Sequence, residues 1–356
     1  MASFSSQPTD QTLEKVSPDE IGFAPDIERK LAAGIESGLL RHLHEVLAGR
    51  SGKLGIERYY DGPDNNWGQF LGHVTFEPDT LHDLRSITKS VISLLYGIAL
   101  DRGLVPSPDA PLLAQFPEYP DLAADPDRAK LKIKHALTMT LGMEWDEDKP
   151  YSDPENSEIA MELSKDRYRF VLDRPIICPP GERWIYSGGS VALLGALLAR
   201  GTGKSLPDFA REALFEPLGI TQFEWSAGSD GVPSAASGLR LTGRDLFRIG
   251  TLALNKGVWG GRRIVSSSWL DDSFKSHIPT GDGLFYGYLW FIGEAPTPAG
   301  DRRWIAGFGN GGQRLFLMPG TDLVSVIFSG RYNTWDNWIT PMRIWREIVL
   351  ANLVEV

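Results

Sequence analysis

Between Ser86 and Arg102 the apolar residues Ile87, Val91, Leu94, Leu95 and Ile98 recur at steps of three and four, which predicts a helix with one buried side, stopped by Gly103. The same reading predicts a helix over Asp26–Leu47 that ends at Gly49, a strand over Lys53–Tyr60, a turn at Asp61–Asn66 and a second strand over Trp67–Val74. The middle of the chain alternates helical stretches with Pro- and Gly-rich loops. Its helices are expected at Ile133–Met139, Ser157–Val171, Gly189–Arg200, Leu206–Phe215, Gly243–Asn255 and Ser267–Phe274. From Gly287 the pattern changes to short apolar runs separated by turn residues. Tyr288–Ile292, Arg303–Phe308, Arg314–Met318 and Leu323–Phe328 read as antiparallel strands, and Trp335–Leu353 as a closing helix. Strands at both ends with helices between them predict an α+β fold: an antiparallel sheet flanked by helices, with an inserted all-helical domain. The expected division is a loose segment 1–24, a sheet domain 25–104 plus 276–356, and a helical domain 105–275.

Composition narrows the partners. The 356 residues carry a net charge of −10, which argues against nucleic acid or an anionic membrane surface. No apolar run is long enough to span a bilayer; Val91–Leu104 is too short and contains Asp101 and Arg102. The N-terminus lacks the basic start and apolar core of a signal peptide, and the single Cys178 cannot form an internal disulfide, so a cytoplasmic protein is expected. His42 and His44 stand two apart and the other histidines are scattered, so no metal site and no cofactor are expected. Gly201-Thr-Gly-Lys204-Ser205 lacks the first P-loop glycine and follows a helix, so it reads as a helix end. The acidic run Glu144, Asp146, Glu147, Asp148 reads as a solvated loop, and Tyr151, Trp184, Trp225 and Trp290 as core or cleft-wall aromatics.

The chemistry starts at Ser86 and Lys89. Three apart at the opening of a helix, the hydroxyl and the amine share a face. The helix start also supplies unpaired N–H groups and partial positive charge for an alkoxide or oxyanion. A lysine held beside a serine can take its proton, giving a serine nucleophile without histidine. S-x-x-K is a weak signal alone, and two further segments strengthen it. Tyr186 lies in the tight run Pro179-Pro-Gly-Glu-Arg-Trp-Ile-Tyr186-Ser-Gly188-Gly before a helix. Gly307-Phe-Gly-Asn310-Gly311-Gly312-Gln313 precedes a strand, where glycines admit close approach of a ligand. There is no G-x-S-x-G elbow.

In this order the three segments resemble the serine β-lactamase and penicillin-binding-protein superfamily, with S-x-x-K, then Y-x-N, then K-T-G or H-x-G. The likeness is closest to the class C-like branch of esterases, D-amino-acid peptidases and 6-aminohexanoate-dimer hydrolases. It extends over Phe76–Ser86, Ile133–Gly142 and Gly238–Leu246, from about Lys53 to the C-terminus. The resemblance implies Ser86 as nucleophile, with Lys89 and Tyr186 as the proton-transfer pair. It also implies the backbone N–H groups of Ser86 and Gln313 as the oxyanion hole, and Gly188, Asn310, Gly311 and Gly312 as substrate-binding positions. Which of Lys89 and Tyr186 is the resting base stays open. Two positions depart from the pattern. Gly188 replaces the second-motif Asn, and Asn310 replaces the third-motif Lys or His, so an amide donor and a cation for a substrate carboxylate are missing. Arg314 could supply a charge, although strand alternation points it elsewhere. The expected activity is that of a carboxylesterase or small-amide hydrolase working through an acyl-enzyme on a small-molecule ester or amide. The alternatives are a D-amino-acid peptidase, a weak β-lactamase, or a sensor that is acylated without turnover. Oligomeric state is open.

Overall fold

The computed structural model describes residues 13–354. Helix α1 covers Ile27–Glu36 only, and the chain then turns into strand β1, Leu43–Arg50. The expected helix to Leu47 is therefore half strand. Seven consecutive residues of β1 are buried, and an apolar run covered on both faces has no period that separates strand from helix. Strand β2, Lys53–Tyr59, pairs back on β1. Asp61–Asn66, expected as a turn, is strand β3, and it forms a separate two-stranded hairpin with β4, Gln69–Thr75. Its Pro63 and Gly62 disguise it, and such residues are tolerated in a two-stranded edge hairpin. The short strand β5, His82–Asp83, leads into helix α2, Ile87–Asp101.

The expected single helix at Ser157–Val171 is two. Helix α3, Ser157–Leu163, is capped by Asn156, and a second begins at Arg167 with Asp166 as its cap. Helix α4 is Gly188–Thr202. Strand β6, Leu239–Leu241, pairs with β5 and so ties the segment before α2 to the helical part of the chain. Helix α5, Gly243–Leu254, begins at the Thr242 cap. Strands β7 (Ile278–Pro279), β8 (Phe285–Tyr286), β9 (Phe291–Thr297), β10 (Gly300–Gly309), β11 (Gln313–Met318) and β12 (Leu323–Ser329) follow. Tyr288–Trp290 is loop rather than strand, with Leu289 in the left-handed region (φ 64°). Helix α6, Ile339–Arg343, continues through wider and tighter turns to Asn352.

These strands form one sheet in the order β7-β8-β9-β10-β11-β12-β1-β2, and all its registered pairs are antiparallel. Alternation along the strands feeds two cores. Val46, Ala48, Phe316, Met318 and Ile327 pack with Phe23, Ile344 and Trp345. Leu47, Leu315, Leu317, Val324 and Val326 face the core that contains α2 and α5. Helix α5 thus lies on the sheet, although it falls inside the expected helical domain 105–275. The loose segment expected at 1–24 is packed where it is described. Val16 donates to Leu54 O at 3.1 Å, and Phe23 is buried beside Leu353. No helix among the described residues is long and apolar enough to cross a membrane.

Candidate active site

Helix α2 starts where it does because Arg85 is held in a left-handed conformation, φ 49°. Such a backbone is costly for a residue with a side chain and persists where its surroundings fix it. Here Asp83 fixes it: one oxygen accepts the Arg85 N–H at 2.9 Å, and the other pairs with Arg85 Nε at 2.9 Å and accepts the Trp67 N–H at 2.8 Å. The Arg85 guanidinium also lies 5.0 Å from the Tyr332 ring centre. The turn sets Ser86 at the N-cap of α2, yet its side chain makes no capping bond. The hydroxyl is instead taken by Lys89, whose Nζ donates to Ser86 Oγ at 2.9 Å and to Ala236 O at 2.9 Å.

Lys89 is fully buried, with Nζ 4.8 Å from the centre of the Tyr186 ring. The structure thus brings together Ser86, Lys89 and Tyr186 from two segments a hundred residues apart. Burial works against the Lys89 ammonium, but the charges of Tyr186, Glu158 and Glu147 prevail and hold its pKa above the ordinary lysine value. Burial raises the Tyr186 phenol, only partly offset by the charge of Lys89 and by contacts with Ser86 and Lys89. Ser187 caps α4 by accepting the Ser190 N–H at 3.1 Å, which fixes the turn just after Tyr186.

Gly188 has no room for a side chain. A Cβ there would lie 2.9 Å from Glu158 Cδ and 3.2 Å from Ala236 Cβ. The Gly188 N–H donates to Glu147 Oε1, which also accepts from Trp145 Nε1 at 2.6 Å. Glu147 therefore turns inward, which corrects the reading of its run at that one position; Glu144, Asp146 and Asp148 are exposed in a loop as expected. Burial, then the charge of Glu158, push its pKa up to about 8. The sequence pattern puts Glu147 in a solvated run and does not single out Glu158, because neither belongs to a motif and only the fold brings them to Lys89.

The third segment also differs from expectation. Gln313 is fully buried, its amide donating to Ser329 O at 2.7 Å and accepting the Ser329 N–H at 3.1 Å. It does not line the cleft. Gly311 and Gly312, at φ 93° and 97°, form the β10–β11 turn against Tyr332 and Asn337 and do not line it either. The backbone beside Ser86 is that of β10. The β9 pairing stops at Ala306, leaving that edge of Gly307–Gly309 unpaired by the ladder, and a Cβ on Gly309 would lie 2.4 Å from Leu84 O. Gly309 and Asn310 line the cleft with Ser86. The Asn310 amide is held by Asn333, donating to its Oδ1 at 2.7 Å and accepting its N–H at 2.9 Å. Arg314 does face the cleft, contrary to the alternation argument. Its Nη1 is engaged by Gly309 O at 3.1 Å and Gln313 O at 2.8 Å, and burial lowers its pKa to about 10.

The scattered histidines partly converge. His44, Asp64 and His82 are buried with ligand-type atoms within 4.8 Å of one another, the one such grouping among the described residues. His44 Nδ1 and His82 Nε2 are bonded to each other at 2.9 Å, and His82 Nδ1 to Asp83 O at 3.1 Å. Burial drives both imidazole pKa values down to about 3. The pair works as neutral cross-bracing between β1 and the segment that orients Arg85.

Comparison with known proteins agrees with this frame. The chain is 26% identical over 307 residues to the 6-aminohexanoate-dimer hydrolase of Paenarthrobacter ureafaciens, covering 79% of this chain and 72% of that one. Among solved structures it is similar to EstCE1, a hydrolase with promiscuous acyltransferase activity (TM-score 0.71, 17% identity, 91% and 97% of the two chains). It is also similar to a beta-lactamase/D-alanine carboxypeptidase from Pseudomonas syringae (TM-score 0.65, 16% identity, 89% and 97%). At these identities the two structures speak for the fold. The Beta-lactamase family model matches residues 45–341, and the chain belongs to that family of hydrolase-type folds.

Proposed function

We propose that this chain is a serine hydrolase acting through an acyl-enzyme on Ser86, a carboxylesterase or small-amide hydrolase of neutral substrates. The observation that carries the reading is the 2.9 Å contact from Lys89 Nζ to Ser86 Oγ at the open start of α2. Ser86 Oγ attacks the carbonyl carbon as its proton passes into the Lys89–Tyr186 pair. The developing oxyanion meets the N–H of Ser86 and an N–H from the unpaired β10 edge at Gly309–Asn310, in place of Gln313. The pair then returns the proton to the leaving alcohol or amine, and water repeats the sequence in reverse. No step calls for a cofactor, and the cleft fits a small molecule. The relative from Paenarthrobacter ureafaciens is a hydrolase by name, which supports hydrolysis as the outcome. A fluorophosphonate probe should add one mass increment to the wild-type protein and none to Ser86→Ala. Steady release of nitrophenol from p-nitrophenyl butyrate should accompany it. Labelling that persists in Ser86→Ala defeats the assignment, and a single burst without turnover makes the protein a sensor.

A further inference from the structure

Two cavities meet at Ser86. One, of about 620 Å³, is polar and lined by Glu147, Trp184, Tyr186, Asp282, Leu284 and Arg314 among others. The other, of about 300 Å³, exposes more apolar than polar wall, with Trp67 and Ile159 beside the charged Arg85, Glu158 and Glu162. Ser86, Tyr151 and Asn310 border both. Tyr186 borders only the larger one. A leaving group must depart beside the acid that protonates it, and the acyl carbon must stay on Ser86 Oγ.

We infer that the larger lobe receives the alcohol or amine half of the substrate and the smaller lobe the acyl half, which is an apolar chain. This rests on Ser86 as nucleophile and Tyr186 as proton donor. When the bond from Ser86 Oγ to the acyl carbon forms, the bond from that carbon to the leaving oxygen or nitrogen breaks. The serine proton ends on the leaving atom, on the side of the larger lobe. Water then enters from the vacated lobe, its oxygen bonds the acyl carbon as the bond from that carbon to Ser86 Oγ breaks, and Ser86 Oγ takes up a proton lost by the water. At roughly 30 Å³ per water-sized group, and with loose filling, the smaller lobe holds an acyl chain of about six to eight carbons. The Trp67 ring N–H is already bonded to Ser237 Oγ at 2.9 Å, so this wall offers its apolar face. The polar lining of the larger lobe tolerates varied alcohols.

Two ester series separate the lobes: p-nitrophenyl esters from acetate to dodecanoate, and butyrate esters of alcohols of increasing bulk. In the wild type, kcat/KM should rise about fourfold per added acyl methylene until the lobe is full, then fall. Ile159→Trp should move the acyl optimum to chains at least two carbons shorter, and Ile159→Ala to longer ones, with the ranking of alcohols unchanged in both. Leu284→Trp should narrow the alcohols accepted and leave the acyl optimum alone. The opposite crossing, or an acyl optimum that neither Ile159 variant moves, overturns the assignment of the lobes. Fluorophosphonate labelling run on every variant keeps the two conclusions apart. Unlabelled Ser86 in the wild type defeats the nucleophile, whereas normal labelling with the wrong crossing defeats only the lobes.

Discussion

The Glu158 carboxyl crowds position 188, and a double-mutant cycle measures how strongly it disfavours a side chain there. Adding one methyl in Gly188→Ala puts Cβ 2.9 Å from Glu158 Cδ, 3.1 Å from its Oε1 and 3.2 Å from Ala236 Cβ. The first contact is closer than carbon atoms tolerate, but Glu158 Cδ is the far end of a flexible side chain that can swing partly aside, so the overpacking costs about 1–2 kcal/mol. Alanine's better helix propensity returns at most about 1 kcal/mol. At roughly 2 °C per kcal/mol for a chain of this length, Gly188→Ala should melt up to about 4 °C lower than wild type. Glu158→Ala removes two of the three contacts and leaves the milder one to Ala236. In that background Gly188→Ala should cost under about 0.5 kcal/mol, a coupling of about 1–2 kcal/mol between the two sites. Thermal melting of the four proteins measures this directly.

The functional arm uses Gly188→Asn, which restores the amide that the family pattern has at this position. Alone, it should fail to raise nitrocefin hydrolysis, because Glu158 occupies the space. With Glu158→Ala it should raise nitrocefin kcat/KM roughly tenfold, the worth of one charge-assisted hydrogen bond. Additive melting shifts, or a nitrocefin gain in Gly188→Asn alone, would show that Glu158 is not what keeps residue 188 small.

Two further outcomes follow from the site. Lys89→Ala and Tyr186→Phe should each lower kcat about a hundredfold or more while the fold survives, and the double variant should lose far less than the product, since both serve one proton path; independent, multiplying losses would separate them. The Glu147 carboxyl, raised to about 8 by burial and then by Glu158, binds its proton more tightly folded than unfolded. Wild-type stability should therefore fall relative to Glu147→Gln as pH rises from about 4.5 to 8 and stay level above, by one to a few kcal/mol in total; a melting difference between the two proteins that is flat from pH 5 to pH 9 refutes this.

What could be read in advance was local. Ser86 and Lys89 are three apart on one helix, so their contact needs only helical geometry, and α2 has apolar positions that announce it. The pattern does not reveal strand β1, because burial on both faces erases the alternation that marks a strand, and its pairing with β12 and β2 is not local information. Gln313 was misplaced for a related reason. A glycine-rich turn shows that a hairpin is present, but not which of its two strands borders the cleft. The sheet order decides that: β11 is flanked by β10 and β12, whereas β10 loses its outer partner at Ala306 and opens toward Ser86. The sequence scatter of His44, Asp64 and His82 likewise hid a buried brace whose members lie on three different strands.

The departures at Gly188 and Asn310 amount to one electrostatic change. A substrate carboxylate entering a cleft loses its hydration, and only a fixed cation or several donors can compensate. Here the amide at 188 is absent because a carboxylate stands in its place, and the amide at 310 is bound to Asn333. Arg314 is cationic, but one arm of its guanidinium is occupied by backbone carbonyls. Glu158 also lines the smaller lobe beside Ser86. At a separation of about 6 Å and an effective dielectric near 20, one carboxylate repels another by roughly 3 kcal/mol, about a hundredfold in kcat/KM. Loss of attraction and gain of repulsion act in the same direction. The contact of Lys89 with Ser86 beside Tyr186 is untouched by either, so on the proposed acyl-enzyme reading the site keeps its chemistry while anionic substrates are disfavoured.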